Sequence, residues 1–192
     1  MEIRKYLKNY NIVSVISNYK TSIKSDEKVI NLLNKKKIEQ SLKMMSLNKD
    51  ILDKKFGELS LSEQFKVDLL TKLNKEIILI GNLSTDLKYK DREIIIKMLV
   101  KLTTDYNKKV LIIDDDISEI MDICKYYLVL QNKDVIYETD NVYDDELYKY
   151  TKMPEIISFV KKINKKGIKL KSYTNIHELI KAIYRSVSWN TY

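Results

Sequence analysis

From Ser60 to Ile113 the chain reads SLSEQFKVDLLTKLNKEIILIGNLSTDLKYKDREIIIKMLVKLTTDYNKKVLII, and this stretch decides the fold. Ser60 and Glu63 form the S-x-x-E pattern of a capping box, in which each side chain satisfies a backbone N–H at a helix start. A helix is therefore predicted over Ser60–Leu73. Ile77–Ile80 is a continuous apolar run, as expected for a strand buried on both faces. From Asp91 to Tyr106 the apolar residues recur at helical spacing, and Ile94, Ile95, Met98, Leu99 and Leu102 make the predicted inward stripe. Val110–Ile113 is a second buried strand. Alternating helices and strands predict an α/β domain with a mainly parallel sheet, because parallel neighbours need a crossover between them.

Outward from this stretch the same rules apply. Asn11–Ile16 (NIVSVI) is a short β-rich run. A helix is predicted from about Asp26 to Met45, capped by Ser25 or Asp26, with Val29, Ile30, Leu32, Leu33, Ile38 and Leu42 on its apolar face. A short helix is predicted from Ile117 to Cys124. Tyr127–Leu130 and Val135–Tyr137 flank Asn132-Lys133-Asp134, a hairpin turn. Pro154 opens a helix that runs to about Lys166 and stops at Gly167, and Asn175 caps a last helix to about Val187. The one boundary falls near Tyr150–Pro154, which divides the chain into a domain over 1–150 and a C-terminal helical extension over 151–192.

Composition narrows the class. Of the 192 residues 44% are hydrophobic and 32% charged, enough apolar surface for a packed core and too much for a disordered chain. The formal charge is +8, carried almost wholly by lysine, since the arginines are Arg4, Arg92 and Arg185. Such a charge suits nucleic acid or an anionic membrane face. The lysines are spread along the chain, however, and arginine is scarce where bidentate phosphate contacts would want it, which favours a solvated surface. Cys124 stands alone, so no internal disulfide forms and a reducing compartment is expected. No apolar run reaches the ~20 residues of a membrane span, and the N-terminal MEIRKYLKNY has no apolar signal core. A cytoplasmic protein is expected, with peripheral docking at the inner face of the membrane left open.

The motifs resemble those of an ATP-binding cassette (ABC) ATPase. Leu59–Val67 (LSLSEQFKV) resembles the family signature L-S-G-G-E-x-Q-K-V at a helix start: Leu59, Ser60, Glu63, Lys66 and Val67 match, while Leu61 and Ser62 stand where the family has glycines. In the family this loop offers backbone N–H groups to the γ-phosphate of ATP held by a partner subunit, the usual anion chemistry of a helix N-terminus. Ile77–Arg92 (IILIGNLSTDLKYKDR) resembles the apolar strand that ends in Asp-Glu, followed by P-T-S-x-L-D and an arginine. Leu87 and Arg92 match. Gly81 stands for the magnesium-linked aspartate, Asn82 for the catalytic glutamate and Lys88 for the D-loop aspartate. Asparagine cannot accept a proton from water at neutral pH, and glycine cannot hold a cation's shell.

The resemblance continues on both sides. Val110–Asp116 (VLIIDDD) is similar to the strand that ends in T-H-D, with Asp115 at the position of the histidine that contacts phosphate. Cys124–Glu138 (CKYYLVLQNKDVIYE) is similar to the family's next strand pair. Val13–Ser22 looks like the strand and Q-loop, with Asn18 in place of glutamine. No G-x-x-x-x-G-K-[ST] occurs in the sequence, whose glycines are Gly57, Gly81 and Gly167. The tail is similar to the C-terminal helices of energy-coupling factor ATPase subunits. The resemblance implies a P-loop NTPase-like fold without its phosphate loop, ATP and magnesium sites too eroded to count on, and a place beside an ABC ATPase subunit or a membrane transporter subunit. No cofactor and no metal site are expected.

Plainer readings stand beside these. Asp114, Asp115 and Asp116 suit a cation at the end of a parallel sheet, or else an acidic turn whose last aspartate caps the next helix. His177 has no cysteine or histidine partner in sequence. Tyr126, Tyr127, Tyr148 and Tyr150 suit base stacking or ordinary packing. The alternatives to a transport-complex partner are a small basic adaptor for nucleic acid or protein, and a decayed paralogue with no retained role.

Overall fold

The computed structural model describes residues 3–17, 21–81, 83, 87–132 and 134–188. Its centre is a five-stranded sheet in the order β2-β3-β1-β4-β5: β1 is Ile12–Ile16, β2 Ile77–Gly81, β3 Lys109–Asp114, β4 Tyr127–Gln131 and β5 Asp134–Thr139. β1 to β4 run parallel and β5 returns antiparallel to β4. The helices are α1 (Val29–Leu32), α2 (Ile38–Met44), α3 (Leu61–Lys72), α4 (Tyr89–Thr104), α5 (Glu155–Lys165) and α6 (Ile176–Ser188). This is the predicted α/β class, a mainly parallel sheet flanked by helices with a helical tail.

Alternation along each strand sorts the side chains into two layers. Ile12, Ile16, Ile78, Ile80, Val110, Ile112, Tyr127 and Val129 face the main core with the helices. Val13, Val15, Leu111 and Leu128 face the other way, under Tyr6 and Leu7 of a 3-10 helix at Ile3–Lys8. Ile156, Ile157 and Val160 of α5 and Leu179 of α6 belong to the main core, so the C-terminal helices are packed against the sheet's own helical layer.

Three local expectations are corrected. The helix over Asp26–Met45 is broken: Lys28, not Ser25 or Asp26, precedes α1, Leu33 is extended at φ −97°, and Asn34 starts a fresh 3-10 turn by accepting the Lys36 N–H. Ser25 instead uses its carbonyl to accept the Gly57 N–H at 2.8 Å, an approach so close that a Cβ on Gly57 would sit 2.9 Å from the Ser25 Cβ. β2 is not buried on both faces: Ile78 and Ile80 are buried in the main core while Ile77 and Leu79 are only partly buried on the thinly covered second face; β2 is also an edge of the sheet among the described residues. Residues 117–124 form successive turns instead of a helix. The hydrogen bonds Met121 N–H to Ile117 and Cys124 N–H to Ile120 never extend into a run.

Other boundaries follow the sequence closely. Ser60 and Glu63 make the capping box of α3. Asn132 takes φ 52° at the β4–β5 turn, a backbone that asparagine tolerates. Gly167 takes φ 89° after α5, and the Asn175 Oδ1 accepts the His177 N–H at 2.9 Å to start α6.

Candidate functional site

In an open parallel sheet, ligands bind beyond the carboxyl ends of strands whose connections leave in opposite directions. Here those strands are β1, which leads away to β2, and β3, which leads to β4 on the other side. Ser17 donates its N–H to the Asp114 carbonyl at 3.4 Å, which ties the two strand ends together. The six residues from Ser17, SNYKTS, contain no glycine.

The side chains at this end are acidic and largely committed to backbone. Asp114 is buried and its Oδ1 accepts the Asp116 N–H at 3.3 Å. The Asp116 Oδ1 accepts the Ser118 N–H at 2.8 Å. Asp115 is exposed, and its carbonyl accepts the Thr151 hydroxyl at 2.6 Å. The run is thus an acidic turn that caps its own backbone, and no group of three metal-ligating side chains assembles among the described residues. Gly81 is buried at the end of β2, in register with Ile113. Asn18 and Asn82 lie outside the described residues, as do Lys133 and the terminal Trp189 and Tyr192.

A second cluster joins α3 to α4. Leu59 is buried beneath the start of α3. The Ser60 Oγ accepts the Glu63 N–H at 3.3 Å and donates to Glu63 Oε2 at 2.7 Å, while Glu63 Oε2 accepts the Ser60 N–H at 2.9 Å. Leu61 is exposed on the first turn. Ser62 donates its hydroxyl to Asp91 Oδ2 at 2.7 Å, and Lys66 donates to Asp91 Oδ1 at 2.5 Å. Lys66 is only 4% exposed, and this carboxylate is its ion-pair partner. Burial pushes the Asp91 carboxyl up, but the hydrogen bonds from Lys66 and Ser62 and the charges of Lys66 and Lys88 outweigh it and hold the group below its ordinary value. Lys88 itself is exposed at the start of α4.

Sequence reading missed Asp91 as the hub of this cluster. The available signal was Lys66, a lysine on the buried side of a helix, which demands a partner. Arg92 next to it pairs with Glu119 at 2.8 Å, linking α4 to the turn after β3, while its Nε is buried with no partner among the described residues. Thr21 and Lys72 anchor α3 in turn. The Thr21 hydroxyl reaches Asp68 at 3.4 Å. Lys72 pairs with Asp68 at 2.7 Å and donates to the Leu79 carbonyl at 2.8 Å, setting a charged side chain on the sheet edge.

The remaining candidates lie away from both clusters. Tyr127 is buried and its hydroxyl donates to the Met121 and Cys124 carbonyls. Tyr126 stacks on Tyr10 at 4.5 Å, and Tyr150 on Tyr137 at 5.7 Å. Tyr148 is half-buried and donates to the Val142 carbonyl. These rings are occupied within the chain, as ordinary packing predicts. Cys124 is buried, and burial pushes its thiol far above the usual range. His177 is exposed. A groove of about 370 Å³ between Tyr10, Thr103 and Asp122 lies at the amino end of β1, opposite the carboxyl ends of the strands.

Solved structures place this architecture. The chain is similar to the ATP-binding cassette MJ0796 in a dimeric post-hydrolysis state bound to ADP and Pi, with 19% identity and a TM-score of 0.52 over 72% of this chain and 67% of that one. It is similar to MJ0796 solved as a dimeric bacterial ABC transporter cassette, with 20% identity and a TM-score of 0.52 over 70% and 65%. A nucleotide-free ATP-binding cassette from an ABC transporter matches with 18% identity and a TM-score of 0.50 over 76% and 66%. At these identities the likeness defines the fold: an ABC-ATPase-like, P-loop NTPase-like sheet with its flanking helices. The chain spans about two thirds of the length of these cassettes. No family model and no curated protein matches it. No helix among the described residues is long and apolar enough to cross a membrane.

Proposed function

We propose that this chain is a catalytically defective, ABC-ATPase-like subunit, a non-hydrolysing interaction or regulatory partner in a transport complex. The observation that carries this reading is the acidic strand end: where β1 and β3 finish, a phosphate would meet Asp114, Asp115 and Asp116. Two of these already serve as acceptors for backbone N–H groups. A carboxylate at Asp115, the position that resembles the phosphate-contacting histidine, repels an anion instead of binding it. Gly81 and Lys88 supply neither the carboxylate that holds magnesium nor the one that belongs in the D-loop, and Asn82 supplies no base.

The degenerate signature supports the same conclusion. The N-terminus of α3 is closed by its own capping box, Glu63 adds a negative charge beside it, and Leu61 stands over the first turn. What survives is the framework that orients α3 and α4, which is what a partner's docking surface needs. The partner in this reading is an ABC ATPase or a membrane transporter subunit, and the expected place is the cytoplasm, at the inner face of the membrane when docked on that partner. ATP and magnesium have no role as cofactors in it.

The test is Mg-ATP turnover and nucleotide binding by the purified chain, followed by tagged purification in mild detergent from its host. The expected result is no turnover above a mock preparation, with an ABC ATPase or transporter subunit recovered alongside. Turnover that persists through further purification and scales with the chain would overturn the reading. Recovery of nucleic acid in place of a transport component would favour the basic adaptor.

A further inference from the structure

The net charge of this protein is not spread with its lysines. Residues 152–185 hold nine Lys and Arg against two acidic residues, Glu155 and Glu178, so +7 of the chain's formal +8 lies in the helical tail. Lys162, Lys165, Lys166, Lys169, Lys171 and Lys181 are exposed there, and none forms an ion pair among the described residues. The rest of the chain is nearly balanced. The lysines are spread along the chain, as expected, but the net charge is not.

Apolar surface coincides with the charge. α6 buries Leu179 at 2% exposure against the core, yet leaves Ile176 at 52%, Ile180 at 43% and Tyr184 at 74%. Residues four apart on a helix advance by ~40°, so these three form one line ~12 Å long beside the buried edge. His177, Lys181 and Arg185 occupy the next sector of the same turns. Ile168, exposed between Lys166 and Lys169 after Gly167, adds a further apolar side chain within the basic segment. The apolar sector of α6 is thus wider than the core it covers, and its outer margin is basic.

We propose that α6, with the lysine-rich segment before it, is a docking surface for an anionic lipid membrane. An interfacial helix buries large apolar side chains a few ångströms below the headgroups while lysines on its flank meet lipid phosphates. Each lysine near an anionic leaflet strengthens binding roughly fivefold. Nucleic acid would use the charge but has no use for a line of isoleucines, and Tyr184 is the single exposed aromatic on that line. The proposal goes beyond the transport-partner reading and does not depend on it: a membrane contact of this kind needs no transporter.

The full chain is tested by co-sedimentation with vesicles of phosphatidylcholine alone and of phosphatidylcholine mixed with phosphatidylserine. Binding to the mixed vesicles, weakening with salt and absent on the neutral ones, is the expected result. I180D/Y184D changes exposed positions only and should abolish binding with an unchanged circular dichroism spectrum. K165Q/K166Q/K169Q should weaken it about a hundredfold, three lysine contributions together. No binding to either vesicle, or equal binding to both, overturns the proposal. Salt-dependent binding to DNA that I180D/Y184D leaves intact, with no vesicle binding, overturns it in favour of nucleic acid. Retention of vesicle binding by both variants also overturns it.

Discussion

Asp91 carries more of the structure than its place in the sequence suggests. It neutralises Lys66, accepts Ser62 and so clamps the start of α3 to the start of α4. Removing one partner of a largely buried pair leaves the other charge stranded. Asp91→Ala is therefore expected to cost about 2–4 kcal/mol in urea unfolding. Adding Lys66→Met should recover much of the loss, since no buried charge then remains. The pH dependence has a definite sign. Because the folded-state value of Asp91 is depressed, its contribution is present above the ordinary aspartate value of about 3.9 and is lost as pH falls through the lower folded value. The stability difference between the native chain and Asp91→Asn should hold steady from neutral pH to about 5 and shrink in more acidic solution. A difference that grows on acidification would contradict the assignment.

At the scale of elements, caps and edges account for where helices and strands stop. The α3 capping box was readable because its two side chains are three residues apart, and a contact this local survives any tertiary arrangement. Ser60→Ala should lower stability by about 1 kcal/mol, read as a shift of the urea midpoint at constant slope. The broken helix at Leu33–Lys37 was not readable, since its apolar positions fit helical spacing well. Its first turn is instead held by Val29 N–H to the Lys54 carbonyl and by Phe56 N–H to the Glu27 carbonyl, contacts across more than 20 residues. Likewise Ile77–Ile80 has the composition of a central strand, and only the strand order makes it an edge whose Leu79 carbonyl is taken by Lys72.

At the scale of the molecule, one core joins the sheet, α3, α4 and the C-terminal helices. A single cooperative unfolding transition is expected, with the fluorescence of the tyrosines and far-ultraviolet circular dichroism changing together. Two separated transitions would mean that the tail unfolds by itself. The second layer of the sheet is thinner: among the described residues only Tyr6 and Leu7 of the N-terminal 3-10 helix are buried over it, and Ile77, Leu79, Ile113, Leu130 and Val135 remain partly exposed.

The sequence by itself determined the α/β class, most strand and helix positions, the α3 cap, the turn at Asn132 and the stop at Gly167. Each follows from side-chain periodicity or from backbone preferences that act within a few residues. That Gly81 and Lys88 carry no carboxylate and Asp115 no imidazole was equally legible, because residue type alone decides what can ligate or accept a proton. Only the tertiary structure decided the strand order, the meeting of Ser62, Lys66 and Asp91, and the exposure of one apolar line on α6. Those depend on which distant segments the core brings together, and local patterns carry no record of which side of an amphipathic helix finds a partner.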